Sequence, residues 1–311
     1  MNPAIHGYRA YGLAIGSELH LPELPADERY MGDDSGEASL CDVNIRLGAT
    51  PEHVDEFRTS SPTHEASAEH LLLRIDGVAR YLVSHGRQIT VDPDAAASEH
   101  DVRVFLLGTC FGALLHQRGL LVLHASGIRT AVGAALFAGP SGAGKSTLLG
   151  ELLRRGYAMT VDDVAAVRVD GSGQPILLPS YPRTRMWSDA AERFGIETSG
   201  LQRTRSHMDK YERQVWDQFS ADEAPLRRIY HLAGSNGDEM SVTPLEPLAV
   251  IPTLVANTYR RVLLDGLAMR RSHFDLASQV ARTVPVRRVI RPDDPLRLPE
   301  LADLIVTDLH T

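Results

Sequence analysis

The stretch from Leu136 to Val167, LFAGPSGAGKSTLLGELLRRGYAMTVDDVAAV, carries in order an apolar run, a glycine-rich turn, a helical pattern and a second apolar run that closes on two aspartates. Within it, Gly139-Pro140-Ser141-Gly142-Ala143-Gly144-Lys145-Ser146 fits G-x-x-x-x-G-K-[ST] without a mismatch. The glycines let successive backbone N–H groups point into one concavity, and the positive end of a helix beginning near Lys145 adds to the field there. Such a nest takes phosphate. Lys145 then reaches the β and γ phosphates as a point charge, and the Ser146 hydroxyl suits a Mg²⁺ that keeps most of its waters. With Thr147 next in the chain, residues 139–147 form the candidate nucleotide-binding set. The competing reading is a glycine-rich turn that binds nothing, and the strand, turn and helix around it argue against that.

Composition adds a point that the motif alone would miss. Of the 32 basic residues only Lys145 and Lys210 are lysine, and all the others are arginine. An arginine cannot stand in for the compact ammonium of a phosphate-loop lysine, so a lysine kept in such a chain has a reason to be one. Lys210 is therefore a second candidate, against the plain alternative of a solvated surface residue.

The whole chain sets wider bounds. At 311 residues with 43% hydrophobic content it can build one large domain or two smaller ones. No stretch approaches the ~18 uncharged apolar residues of a membrane span, and MNPAIHGYRAYG lacks the regions of a signal peptide. A cytoplasmic protein without a membrane partner is expected. Cys41 and Cys110 lack metal-ligand spacing and read as ordinary thiols. A net charge of −8 argues against general nucleic-acid binding.

Residues 1–98 show short alternating segments and turn signals, which predict antiparallel strands in a small β-rich N-terminal domain, with hairpin turns at Asp76-Gly77 and His85-Gly86 and an exposed loop around Asp33 to Gly36. Residues 99–311 form the second predicted domain. It opens with DVRVFLLGTCFGALLHQRG, a buried helix ending at Gly119, followed by the strand LLVLHASGI. Helices are expected at RMWSDAAERFG and IPTLVANTYRRVLLDGL, and strands at LRRIYHLAG and VRRVIRP.

Asp162 and Asp163 end the apolar run after the predicted helix, where strand termini of an α/β sheet deliver side chains to a ligand crevice. Neighbours on an extended chain point to opposite faces, so the two carboxylates do different work. One holds Mg²⁺ directly or through water, and the other accepts a proton from an attacking hydroxyl. The residues leave open which is which.

Four segments resemble the catalytic domain of HPr serine kinase/phosphorylase and its kinase relatives, including the branch found with lasso-peptide biosynthesis. They are the glycine-rich loop; TVDD, whose aspartates begin sixteen residues after Ser146; LHASG, which puts His124 fifteen residues before Gly139; and YPRTRMW, similar to a P-R-x-R-x-W segment of the peptide kinases. The resemblance implies an α/β P-loop kinase domain of the HPr kinase and phosphoenolpyruvate carboxykinase type. It implies ATP and Mg²⁺ at Lys145, Ser146 and Asp162, a base at Asp163 or Asp162, and His124 beside the nucleotide. Arg183 and Arg185, two apart on an extended segment, would face one way and suit a phosphate or a peptide carboxylate.

Departures from the family are as informative. The E-x-R-G-x-G-I-x-N-V-like segment tied to the phosphorylase reaction is absent, which removes a metal-binding glutamate and leaves Asp189 as a speculative substitute. The expected activity is transfer of the γ-phosphate to a hydroxyl, with a ribosomally made precursor peptide as preferred acceptor and an HPr-like carrier protein or small alcohol as the alternative. A nucleotide-binding interaction module without transfer is the alternative from another class. The family tends to oligomerise, so a homo-oligomer is a further expectation.

Overall fold

A computed structural model describes residues 4–30, 41–204, 209–235, 237–292 and 294–311. The loop expected around Asp33 to Gly36 lies outside these. The protein is mixed α/β, and among the described residues no helix is long and apolar enough to cross a membrane. The chain divides into two units: Met1–Val122 with Arg260–Asp275, and Leu123–Tyr259 with Leu276–Thr311.

The first unit is built on an eight-stranded sheet in the order His6–Ala10, Leu13–Ser17, Val43–Leu47, Gln88–Pro93, Ala79–Ser84, His70–Ile75, His64–Ala66, Thr59–Ser61. Alternation of apolar and polar residues sets its inner face, where Leu71, Tyr81, Val83, Ile89 and Val91 are fully buried. Both expected turns form: Gly77 has φ of +71°, and His85 and Gly86 have +53° and +64°, the paired positive values a tight hairpin turn demands. The expectation of an antiparallel sheet needs one correction. Val43–Leu47 runs parallel to both of its neighbours, because long connections rather than hairpins lead into and out of it.

The division of the chain also differs from the boundary read after residue 98. Glu99–Phe105, Leu106–Cys110 and Phe111–Gln117 form one helical run with a π-helical middle, ending before Gly119 at φ +72°, and it belongs to the first unit. The cause is packing: Tyr81 Oη donates to Val102 O at 2.9 Å, Arg103 Nε to Glu23 at 2.9 Å, and Tyr11 lies 6.1 Å from Phe111. A run so apolar goes where it can bury its surface. Cys110 is buried in it, and neither cysteine is in a disulfide.

The second unit has a sheet in the order Gly133–Ala138, Leu121–Thr130, Val164–Val169, Pro175–Leu178, Ala224–Ser235, Val286–Pro292, Ser241–Pro244, with Ala158–Val161 paired to Leu121–Thr130. Gly133–Ala138 also pairs in parallel with Ala224–Ser235, which in turn pairs in parallel with Val286–Pro292. The helix Lys145–Arg154 follows the first of these three strands and the helix Leu298–Leu309 follows the last. Leu148, Leu149 and Leu152 of one helix share a core with Leu301, Ala302 and Ile305 of the other and with Phe137, Tyr230 and Val289 of the strands. Truncating a leucine such as Leu152 to alanine in such a core costs about 3 kcal/mol. A three-stranded sheet, Arg183–Trp187, Lys210–Gln214 and Gln202–Arg203, stands apart from the larger one.

Two local expectations are revised. RMW is strand rather than helix, and the helix that follows is confined to Ser188–Arg193. IPTLVANTYRRVLLDGL is not one helix but falls into parts of two, Pro247–Ala256 and Leu263–Gly266.

Candidate functional site

Gly139–Ser146 joins the end of the strand Gly133–Ala138 to the first turn of the helix Lys145–Arg154. Two glycines are there for stated reasons. A Cβ on Gly139 would stand 2.9 Å from the Leu232 carbonyl oxygen, and Gly144, the residue before the helix, has φ of +85° and would place a Cβ 3.2 Å from Arg291 Nη2. Arg291, next to the end of the strand Val286–Pro292, donates through Nε to Ala143 O at 3.1 Å, so this strand clasps the loop.

Lys145 is buried, and its Nζ donates to the carbonyls of Gly139 at 2.8 Å and Pro140 at 3.0 Å. Burial pushes its pKa down to about 8; Asp162 and Asp163 pull it up and Lys210 adds to the fall.

The aspartates lie between the strands Ala158–Val161 and Val164–Val169, and Asp163 adopts φ of +78°. That left-handed residue, rather than simple strand alternation, sends the two carboxylates to different partners. For a non-glycine residue it costs on the order of 1 kcal/mol, least for Asn and Asp, and such positions gather at functional sites. Asp162 is buried and accepts four hydrogen bonds: Oδ1 from Ser126 Oγ at 2.6 Å and Ser146 Oγ at 3.1 Å, Oδ2 from Thr184 Oγ1 at 2.8 Å and Arg185 N at 3.0 Å. Asp163 is more open. Arg185 Nη1 lies 2.6 Å from its Oδ2, and His124 Nδ1 lies 3.1 Å from both its Oδ1 and its backbone oxygen. Burial works against its charge, but Arg185, with His124 and Lys210 behind it, holds the carboxyl well below the usual range.

Arg183 and Arg185 do share a side of their strand, because both reach Glu212: Arg183 Nη1 to Oε2 at 2.9 Å and Arg185 Nε to Oε1 at 3.1 Å. Their surroundings then part them. Arg183 is buried and its other nitrogen donates to Tyr181 Oη at 2.9 Å, so it faces no ligand and the expected pair of clamping arginines is reduced to one. Arg185 faces the cavity, and its Nη2 is buried with no acceptor among the described residues.

These groups border one cavity of about 330 Å³, within the range of small-molecule sites. Ser141, Gly142, Gly144, Lys145, Ser146, Thr147, Asp162, Asp163, His124, Arg185 and Lys210 all line it, and so does Asp189. Gly139, Pro140, Ala143 and Arg183 do not. Met186 and Trp187 of YPRTRMW line it too, and the rest of the wall was not singled out from sequence: Arg193, Met240, Arg291, Pro292, Asp294, Arg297, Leu298 and Leu301. Ser126 and Thr184, which hold Asp162, were also missed; Ser126 follows His124 by two within LHASG, the strand spacing that puts both on one face.

The donor set suits a hard cation. Ser146 Oγ and Asp162 Oδ1 are adjacent oxygens at the helix start, the kind of sparse ligation Mg²⁺ accepts while keeping water and phosphate oxygens.

No family model matches the chain, and no curated protein matches it. The solved structure of the Hpr(Ser) kinase/phosphatase from Coxiella burnetii is similar over 61% of this chain and 90% of that one, at 12% identity and a TM-score of 0.32. This is a distant likeness of fold that carries no residue across.

Proposed function

We propose that the protein is an ATP-dependent kinase that requires Mg²⁺ and transfers the γ-phosphate to a hydroxyl. The observation that carries this reading is the convergence of Lys145, Ser146, Asp162 and Asp163 on one cavity at the start of a helix. The loop amides and Lys145 would bind the phosphates, and Ser146 with Asp162 would hold the metal. A bound Mg²⁺ supplies charge neutralisation between the phosphate oxygens. Asp162, fixed by four donors, is a rigid ligand and a poor proton acceptor.

Asp163 is the proton acceptor in this reading. The acceptor oxygen bonds to the γ-phosphorus, the bond from that phosphorus to the bridging oxygen breaks, ADP departs with the electron pair, and the hydroxyl proton passes to Asp163. With Arg185 at 2.6 Å its carboxylate is a weak base, so the proton moves late, once bond formation has made the hydroxyl acidic. His124 and Arg185 orient the carboxylate.

The preferred acceptor is a ribosomally made precursor peptide of the lasso type, in the cytoplasm, ahead of an HPr-like carrier protein or a small alcohol. YPRTRMW supports this choice, since it supplies Arg185 and Trp187 to the cavity. The test is mass spectrometry of candidate peptides after incubation with ATP and Mg²⁺. A gain of one phosphate on a serine or threonine is expected, with none from the Lys145→Met enzyme. ATP binding without transfer to any acceptor class would leave a nucleotide-responsive interaction module as the function.

A further inference from the structure

The chain spends lysine twice, and both lysines line the same cavity. Every other basic position is arginine, so wherever a general cation suffices this chain uses a guanidinium. A compact ammonium with three donors on one atom is what remains distinctive about the two exceptions.

Lys210 begins the strand Lys210–Gln214, directly across from Trp187 in the antiparallel pair. Its Nζ lies over the Trp187 ring, 5.8 Å from the centroid, and among the described residues it has neither hydrogen bond nor ion pair. Carboxylates are near enough to have claimed it had the fold required that: Asp209 beside it pairs instead with Arg203 at 3.0 Å, and Asp163 pairs with Arg185. The ammonium is therefore held by an aromatic face, which fixes its place and leaves its N–H donors to a ligand.

That place is tied to the reacting end of the cavity. Thr184 Oγ1 and Arg185 N, on the strand paired with Lys210–Gln214, both donate to Asp162, the carboxylate that also receives Ser146. The small sheet is thus bolted to the metal-binding pair. The charge of Lys210 is felt at both Lys145 and Asp163, lowering the pKa of each. Two ammonium groups that repel across a cavity are a site for an anion between them.

We propose that Lys210 is a second phosphate-binding lysine, which donates from the small sheet to the oxygens of the transferred phosphoryl group while Lys145 donates from the loop. This rests on the nucleotide reading above. Its contribution is largest when charge spreads over those oxygens in the transition state, so Lys210 supports transfer more than nucleotide binding.

The experiment needs no acceptor. Calorimetry measures the affinity of wild type, Lys210→Met and Lys210→Arg for Mg·ADP with and without aluminium fluoride, which stands in for the phosphoryl group in flight. Lys210→Met should bind Mg·ADP within about 2-fold of wild type and the fluoride complex about 10- to 100-fold more weakly, with an unchanged thermal melt, since the ammonium has no polar partner to lose. Lys210→Arg should recover only part of that loss. Wild-type affinity for the fluoride complex in Lys210→Met would overturn the proposal, and so would equal weakening of both complexes, which marks a merely structural residue. Absence of Mg·ADP binding by the wild-type protein would overturn the nucleotide reading and this proposal with it.

Discussion

Lys145 is held in its cavity at a cost to the fold, and that cost can be measured. An ordinary lysine titrates at 10.5, whereas Lys145 is pushed down to about 8 by burial. At neutral pH the charged, desolvated ammonium therefore costs the folded state about 3 kcal/mol relative to the unfolded chain. Replacement by methionine, which has similar reach and no charge, removes the cost and forfeits the two hydrogen bonds to Gly139 and Pro140, together about 1–2 kcal/mol. Lys145→Met should consequently be more stable than wild type at pH 7 by about 1–2 kcal/mol, a rise in melting temperature of about 2–6 °C. The pH dependence has a definite sign. Between about 8 and 10.5 the unfolded chain binds a proton that the folded chain has released, so wild-type stability climbs with pH through that window. The advantage of Lys145→Met is full below about pH 8, gone by about pH 9 to 9.5, and reversed near pH 10.5, where only the two lost hydrogen bonds remain. Differential scanning calorimetry of both proteins from pH 6.5 to 10 measures it, with Mg·ATP added in a second series. The variant should show no nucleotide-induced rise in melting temperature. A variant that melts below wild type at pH 7, or a difference that stays flat across the series, would refute the assignment of Lys145 as a strained, function-bound lysine.

Asp162→Asn turns one of the two carboxylate oxygens into an NH2 that faces two of the four existing donors, and should lose about 2 kcal/mol of stability together with Mg²⁺-dependent nucleotide affinity, read by denaturation and calorimetry. Asp163→Asn should keep Mg·ATP affinity within a few-fold and lose transfer to the acceptor at least 100-fold; transfer at the wild-type rate would remove Asp163 as the proton acceptor. Gly144→Ala meets both a positive φ and Arg291 Nη2 at 3.2 Å, so it should cost about 1–2 kcal/mol and abolish Mg·ATP binding, while addition of Arg291→Ala relieves the contact and not the backbone strain.

What the sequence disclosed depended on how local the physics is. The loop Gly139–Ser146, its helix and the aspartate pair form within some thirty residues, and their spacing and glycine pattern are written along the chain. Hairpin turns at Asp76-Gly77 and His85-Gly86 are equally local. The parallel strand Val43–Leu47 was hidden because nothing within five residues tells a strand which way its neighbours run. The helical run Glu99–Gln117 was readable as buried, but not as to which sheet would bury it; that depends on Tyr81, Glu23 and Tyr11, all far away in sequence.

The candidate site divides along the same line. Sequence alternation put Arg183 and Arg185 on one face, and so they are, yet only the fold brings Glu212 across the small sheet to absorb Arg183 and anchor Arg185. Arg183, buried between Glu212 and Tyr181, has no group left to clamp a ligand, whereas Arg185 keeps Nη2 free of an acceptor among the described residues and Lys210 is left without a carboxylate. Strand pattern identifies neither outcome, and although Lys210 stands out in the sequence as one of only two lysines, its letter does not show what holds it. What sets Lys210 apart is the arrangement around it: Trp187 beneath the ammonium, Asp209 engaged by Arg203, and Asp163 engaged by Arg185. Asp209 and Asp163 are each already paired with an arginine, so the positive field of Lys210 meets that of Lys145 and the loop amides where a phosphate would lie. The expectation that follows is directional: reversing that field with Lys210→Glu should weaken Mg·ATP far more than Mg·ADP, since only the triphosphate brings its charge that far, and equal weakening of the two would place Lys210 outside the path of the transferred group.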